Sequence, residues 1–159
     1  VLSAEYSSSG KHCLLHEDSS SEDQFIRTRM SISEWTASES NQRIGLVGRY
    51  QDTNNYVAGL LDYGEGFARI FVFSETLGSG FEVIARSEDL DLDGLEGQWT
   101  TLGLDLDGQT IRMWLGEGED RRLIAAGLDQ ITAGGVSGVS KAGVYARRQA
   151  MEFDDFEVR

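Results

Sequence analysis

The chain carries its ionisable groups in a pattern that favours oxygen chemistry over phosphate binding. Acidic residues outnumber basic ones 27 to 14, and the formal net charge is −13. Three runs concentrate the acids, namely EDLDLDGLE (88–96), GEGED (116–120) and EFDDFE (152–157). Clustered carboxylates either form a solvated acidic surface or bind a hard cation such as calcium. Because this net charge would repel a phosphate backbone, we expect no nucleic-acid partner.

Arginine and aromatic side chains offer a second chemistry, the recognition of sugars. Of the 14 basic residues, 12 are Arg. An aromatic ring stacks on the C–H face of a sugar, and a guanidinium binds paired hydroxyl or carboxylate groups. The residues predicted to project from polar or groove faces are Arg49, Tyr56, Asp62, Arg69, Trp114, Tyr145 and Arg147. We take them as candidate ligand-binding residues. If several of the Arg residues line one groove, an acidic glycan such as a uronate polymer is the natural ligand.

Alternation of polar and apolar residues recurs along almost the whole chain, which predicts β-strands throughout. Clusters of Gly, Asn, Asp and Ser separate the strands. Short strands at this spacing favour two packed antiparallel sheets over a parallel α/β design. The candidate strands are 2–7, 11–16, 24–33, 42–51, 56–63, 67–74, 81–87, 98–106, 109–115, 121–126, 142–148 and 151–158.

A first hairpin places Trp114 on a face away from the core. Asp107-Gly108 predicts a type I′ turn, since both residues tolerate positive φ. That turn pairs Leu104 with Ile111 on the core face, which also carries Leu102 and Met113. On the opposite face Trp114 would lie across from Thr101 and form a shelf.

A second hairpin places Arg49 beside a possible groove. Asp and Asn at 52–55 predict a four-residue loop without proline. The register would then pair Arg49 with Ala58 and Val47 with Leu60 on the face that could hold a groove.

The length of 159 residues fits one domain, predicted to span 1–159. Because the chain begins with Val, we expect it to be excised from a larger protein whose other domains are its partners. No run approaches the ~18 consecutive apolar residues that a membrane span needs, so we expect no membrane span. The single cysteine, Cys13, allows no internal disulfide.

The order of the motifs resembles a known superfamily. GLVGRYQDTNNYVAGLL is followed by RIFVF, then QWTTLGLDLDGQTIRMWL, then KAGVYARRQAMEFDDFEV. This series is similar to the concanavalin A-like lectin/glucanase superfamily, specifically its laminin G-like jelly-roll modules, over roughly residues 25–159. The resemblance implies an all-β jelly roll, a two-sheet antiparallel β-sandwich whose concave face or rim loops bind saccharide.

The resemblance also implies a structural calcium ion at the edge where the first and last strands meet. Asp154 and Asp155 are the expected ligands, with Glu5 and either Glu17 or Asp18 as partners near the N-terminus.

We therefore predict a non-catalytic, extracellular or cell-surface module that binds polysaccharide or acts in adhesion. Two alternatives stay open. Glu152 and Glu157 fit the E-x-D-x-x-E spacing of laminarinase-like glycoside hydrolases of this superfamily. Their chemistry would need both carboxylates on one face about 5 Å apart, with a bulge in the strand. The other alternative is a structural spacer domain, favoured if the structure has no groove and covers Trp114.

Overall fold

The computed structural model describes residues 2–6, 11–16, 23–32, 42–131, 140–147 and 151–159, the first of these ranges by its backbone alone. Twelve β-strands and three short 3-10 turns make up these ranges, which confirms the predicted all-β class. The strands are β1 (Leu2–Tyr6), β2 (Lys11–His16), β3 (Gln24–Ile32), β4 (Arg43–Asp52), β5 (Asn55–Asp62), β6 (Phe67–Phe73), β7 (Phe81–Arg86), β8 (Trp99–Asp107), β9 (Thr110–Leu115), β10 (Arg122–Leu128), β11 (Lys141–Arg147) and β12 (Met151–Val158).

The strands form two antiparallel sheets, as the turn spacing predicts. One sheet has seven strands in the order β1-β2-β11-β4-β5-β6-β7, and the other has five in the order β10-β9-β8-β3-β12. The late strand β11 lies between β2 and β4, and the last strand pairs with β3. These crossovers confirm the jelly-roll sandwich and bring residues from both ends of the chain onto shared faces.

The main core lies between the two sheets. Leu102, Leu104 and Met113 are fully buried in it, as the alternation predicts. Burying each such side chain contributes about 1.5–3 kcal/mol relative to leaving it exposed. Glycines on the facing strands permit this close packing, because a Cβ on Gly59 would lie 2.8 Å from Leu104 Cδ1.

The turn of the β8–β9 hairpin lies one residue further along the chain than predicted. Its turn residues are Gly108 and Gln109, with φ 53° at Gly108, and Leu104 pairs with Met113. A positive φ at the first turn position alone matches a type II′ turn, so the predicted type I′ turn is wrong. Because each partner changes by two positions, every side chain keeps its predicted face. Trp114 lies opposite Gly103.

The β4–β5 hairpin contains a bulge that the sequence did not reveal. Asp52 pairs with Asn55 at the turn, but the register shifts between Gly48 and Asp52. Beyond this bulge Val47 pairs with Ala58, so its predicted pairing with Leu60 is wrong. Arg49 is one of three bulge residues that face the single residue Tyr56 on β5, and its φ of 47° lies in the left-handed region. A bulge turns one side chain out of the alternation, and here it removes Arg49 from the predicted face.

Candidate functional site

The outer face of the seven-stranded sheet carries a second buried layer, separate from the main core. Its apolar and aromatic members are Cys13, Leu15, Val47, Tyr50, Tyr56, Ala58, Leu60, Phe71, Phe73 and Tyr145. Charged side chains from five adjacent strands lie over it. We call this surface the arginine face and define it by Lys11, Arg43, Asp62, Arg69, Tyr145 and Arg147, with Tyr56 beneath them.

Strand register brings these residues together. Arg43 pairs with Arg147 on one side and with Asp62 on the other, so the three form one row across the sheet. In the next row Gly45 lies between Tyr145 and Leu60 and leaves a gap in the layer of side chains. The crossover that inserts β11 beside β4 is therefore what assembles the face.

A single carboxylate holds two of the guanidinium groups. Asp62 is 1% exposed, and its Oδ2 atom accepts a hydrogen bond from Arg43 Nε at 2.7 Å and another from Arg69. Both guanidinium groups also lie about 5 Å above the ring of Phe71, at 5.1 Å for Arg43 and 5.2 Å for Arg69. The ring and the carboxylate together fix these cations at the protein surface, where their side chains are 13% and 18% exposed.

Several buried donors on the arginine face have no acceptor among the residues that the structure describes. The Tyr145 hydroxyl, Arg69 Nε and Arg147 Nε lack a hydrogen-bond partner throughout the described ranges. An unsatisfied buried polar group costs about 1–3 kcal/mol. Burial raises the pKa of Tyr145 to about 12, despite the opposing effect of Arg147. The hydroxyl therefore remains protonated at neutral pH within the buried layer.

The arginine face also carries a positive field in a strongly acidic protein. The pKa of Lys11 is lowered, first by burial and then by the nearby Arg147 and Arg43 charges. The Lys11 ammonium lies 4.9 Å from the centre of the Phe73 ring. An anionic group that approaches this face would therefore meet attraction from several fixed cations.

Of the predicted ligand-binding residues, Tyr56, Asp62, Arg69, Tyr145 and Arg147 lie on the arginine face, whereas two do not. The sequence interpretation missed Lys11 and Arg43. Strand alternation contained the signal for Arg43, since it lies two residues from Gly45 along β4 and so shares its face.

Arg49 lies apart from the arginine face. The bulge directs it toward the end of the sandwich, where Arg49 Nη1 lies 3.1 Å from Asp129 Oδ2. Its Nη2 donates to the carbonyl of Gly108 in the β8–β9 turn. Arg49 is 2% exposed and Asp129 is fully buried, so the structure gives Arg49 an internal partner and no access to a ligand.

Trp114 lies on the outer face of the five-stranded sheet, on the opposite side of the molecule. The guanidinium of Arg121 covers its ring at 4.2 Å. A covered Trp114 agrees with the spacer alternative, but that alternative also requires the absence of a groove. Two adjoining depressions of about 310 and 380 Å³ lie on this face and share Arg27, Thr101 and Glu117.

The carboxylates of the hydrolase alternative do not meet its distance requirement. A bulge at Asp155, with φ 50°, does return Glu152 and Glu157 to one face. Their partners on β3 are four residues apart, which separates them by ~13 Å along the strand. Retaining and inverting glycosidases use separations of about 5–5.5 and 6.5–9.5 Å. Hydrogen bonds from Arg159 and Arg27 also lower the pKa of Glu157, which disfavours a general acid.

The predicted calcium ligands lie on two different sheets. Asp154 and Asp155 belong to β12, whereas Glu5 belongs to β1 at the edge of the other sheet, and its side chain lies outside the description, as do residues 17 and 18. In the described ranges no three His, Cys, Asp or Glu side chains come together in a way that could hold a metal ion. Arg29 lies 3.8 Å from Asp155 and would compete with a cation there. The calcium site therefore stays a prediction.

Among the described residues, no helix has the length and apolar character needed to cross a membrane.

Comparison with solved structures supports the fold. The carbohydrate-binding module CBM66 from Bacillus subtilis superposes with a TM-score of 0.71 and 15% identity, covering 100% of this chain and 91% of that one. The GH43 BlXynB protein from Bacillus licheniformis gives a TM-score of 0.64 and 14% identity over 92% of this chain and 29% of that chain. Sheep galectin-11 gives a TM-score of 0.59 and 7% identity over 91% of this chain and 95% of that chain.

These likenesses confirm the jelly-roll β-sandwich fold that the resemblance implies. No protein-family model matches the chain, and no curated protein sequence matches it.

Proposed function

We propose that this chain is a non-catalytic carbohydrate-binding module that takes its ligand on the arginine face. Extracellular or cell-surface adhesion is the setting that we propose for it. CBM66 and galectin-11, which share its fold, are by their names a carbohydrate-binding module and a galectin. That likeness supports the class of function, and the residues of the arginine face support the place.

The exposed guanidinium groups are the proposed contact atoms. Arg69 and Arg147 would donate paired hydrogen bonds to the sugar, since a planar guanidinium matches two neighbouring oxygens. Asp62 is buried beneath them and orients the cations. Tyr145 and Tyr56 are both buried and support the layer from below.

The observation that carries this proposal is the group of cations held around one buried carboxylate, with Arg43 and Arg69 partly exposed at the surface. Arg43 and Arg69 both donate to Asp62 Oδ2, and the single charge of Asp62 is outnumbered by the cations of the arginine face. A carboxylate-bearing sugar would balance this excess of positive charge and accept hydrogen bonds from the partly exposed guanidinium groups. We therefore propose acidic glycans, such as uronate oligomers, as the preferred class.

Oligogalacturonate hexamers and their methyl-esterified forms test this proposal by isothermal titration calorimetry. We expect the acidic form to bind and the esterified form to bind at least about tenfold more weakly, because a charge-assisted hydrogen bond contributes about 1.5–3 kcal/mol. Arg147→Gln should weaken binding by a similar factor. The matched control is Arg112→Gln, at a partly exposed, ion-paired arginine on the outer face of the other sheet.

Tyr145→Phe tests whether the buried layer only supports the arginine face. It removes a buried hydroxyl that has no partner among the described residues, so the free energy of unfolding should stay constant or rise. Binding of the acidic hexamer should change by less than about twofold, because the hydroxyl is buried and out of reach of the sugar. Equal binding of both hexamer forms would contradict the acidic preference, and failure of every glycan to bind at this face would contradict the proposed function.

Calcium binding is a separate prediction, measured by thermal melting. If Asp154 and Asp155 contribute to a native-state site, saturating Ca²⁺ should raise the melting midpoint by roughly 5–10 °C. Asp154→Asn with Asp155→Asn should abolish the rise. The control is Asp89→Asn with Asp91→Asn, which removes as many carboxylates from the acidic run at 88–96. A midpoint that Ca²⁺ does not change would contradict the site.

A further inference from the structure

The outer face of the five-stranded sheet holds a groove that the proposed function does not use. Its two depressions share Arg27, Thr101 and Glu117, and we call their union the Arg27 groove. Each depression has a volume near the lower end of the ~300–1,000 Å³ range of ligand pockets. Because they adjoin, the groove is elongated and runs across β12, β3 and β8 toward the turn at Gly118–Asp120.

Charges in the groove are balanced. Three cations line it, namely Arg27, Arg29 and Arg121, and three anions face them, namely Glu117, Asp155 and Glu157. Arg27 Nε lies 2.5 Å from Glu157 Oε2, and the Thr101 hydroxyl donates to Glu117 Oε1 at 2.6 Å. The groove therefore presents both donors and acceptors, and the charges of its lining sum to zero.

Aromatic surface and bare backbone complete the lining. Phe25 lines one depression, and the Arg121 guanidinium that covers Trp114 lies 5.4 Å from the Phe25 ring. Gly103 leaves the floor between Arg27 and Trp114 without a side chain. A Cβ at Gly116 would lie 2.6 Å from the carbonyl oxygen of Asp120, so that part of the wall must be backbone.

We infer that the Arg27 groove is a second ligand site, and that its ligand is a neutral linear oligosaccharide. Hydroxyl groups both donate and accept, so they match a lining that mixes guanidinium and carboxylate groups better than a polyanion does. The flat Phe25 and Arg121 surfaces suit the C–H face of a sugar ring. This site lies on the sheet opposite the arginine face and differs from it in charge, so it does not depend on the proposed function.

Amide ¹H–¹⁵N spectra of the full chain, titrated with cellohexaose, xylohexaose and mannohexaose, test the inference. Glycine amides report separately on the two faces. Gly103, Gly116 and Gly118 line the groove, whereas Gly45 and Gly143 belong to strands of the arginine face. At least one hexaose should shift the three groove glycines and leave the other two unchanged.

Matched substitutions then locate the contacts. Arg27→Gln should weaken the binding about tenfold, the usual effect of removing a charge-assisted hydrogen bond. Arg112→Gln is the control, because Arg112 is also ion-paired on β9, with Asp105, but lines neither depression. Gly103→Ala fills the floor without a clash, since its Cβ would lie 3.6 Å from Trp114 Cβ, and it should weaken binding about fivefold.

Three outcomes would overturn the inference. One is that no hexaose shifts the groove glycines, as would happen if the groove held a protein segment instead. Another is that the shifts occur at Gly45, which would leave a single site on the arginine face. The third is that Arg27→Gln and Arg112→Gln reduce binding equally.

Discussion

Asp129→Ala is expected to lower the free energy of unfolding by about 3–5 kcal/mol, the cost of leaving one member of a buried ion pair without its partner. Arg49 and Asp129 are 2% and 0% exposed, and Arg49 also donates to the carbonyl of Gly108. The pair therefore joins the β4 bulge, the β8–β9 turn and the end of β10. Urea denaturation followed by tryptophan fluorescence measures the loss.

Three variants show whether charge is the cause. Asp129→Asn keeps an oxygen that can accept the hydrogen bond from the Ile131 amide, whose nitrogen lies 2.9 Å from Asp129 Oδ1. This variant should still destabilise the protein strongly, because it removes the charge that pairs with Arg49. Arg49→Met combined with Asp129→Leu should recover most of the loss, because a buried pair can be replaced by apolar residues at little cost. Asp105→Ala breaks a half-exposed pair with Arg112 and should cost at most about 1 kcal/mol. Equal losses for Asp129→Ala and Asp105→Ala would contradict this account.

Gly45→Ala is expected to cost at least about 3 kcal/mol, at the upper end of overpacking effects. A Cβ at this position would lie 2.0 Å from the carbonyl oxygen of Gly59. Both residues belong to paired central strands, so the backbone cannot move away without breaking the ladder between β4 and β5. Chemical denaturation, or loss of soluble protein on expression, would show the effect.

Gly103→Ala is the matched control for Gly45→Ala. It lies on a central strand of the other sheet, and its Cβ would meet only ordinary contacts. We expect its free energy of unfolding to change by less than about 1 kcal/mol. If both alanine variants were equally stable, steric contact would not explain the glycine at position 45.

The sequence by itself determined the fold class and the division of side chains between core and surface. Alternation is a local property, because successive side chains on a strand point to opposite faces whatever the strand pairs with. Leu102, Leu104 and Met113 could therefore be assigned to the core before any pairing was known. The error in the β8–β9 turn did not affect this assignment, since a change of two positions preserves the face.

Only the tertiary structure decided which polar residues meet. Tyr145 and Arg147 lie beside Arg43 because β11 inserts between β2 and β4, a crossover that no local pattern encodes. The bulge at Arg49 was equally hidden, because a bulge leaves no mark in the local polar and apolar pattern of a strand. Because of this bulge, Arg49 belongs to a buried ion pair with Asp129, although it was predicted to bind sugar. Chemistry at a β-sandwich face depends on such non-local register, whereas its core depends on local alternation.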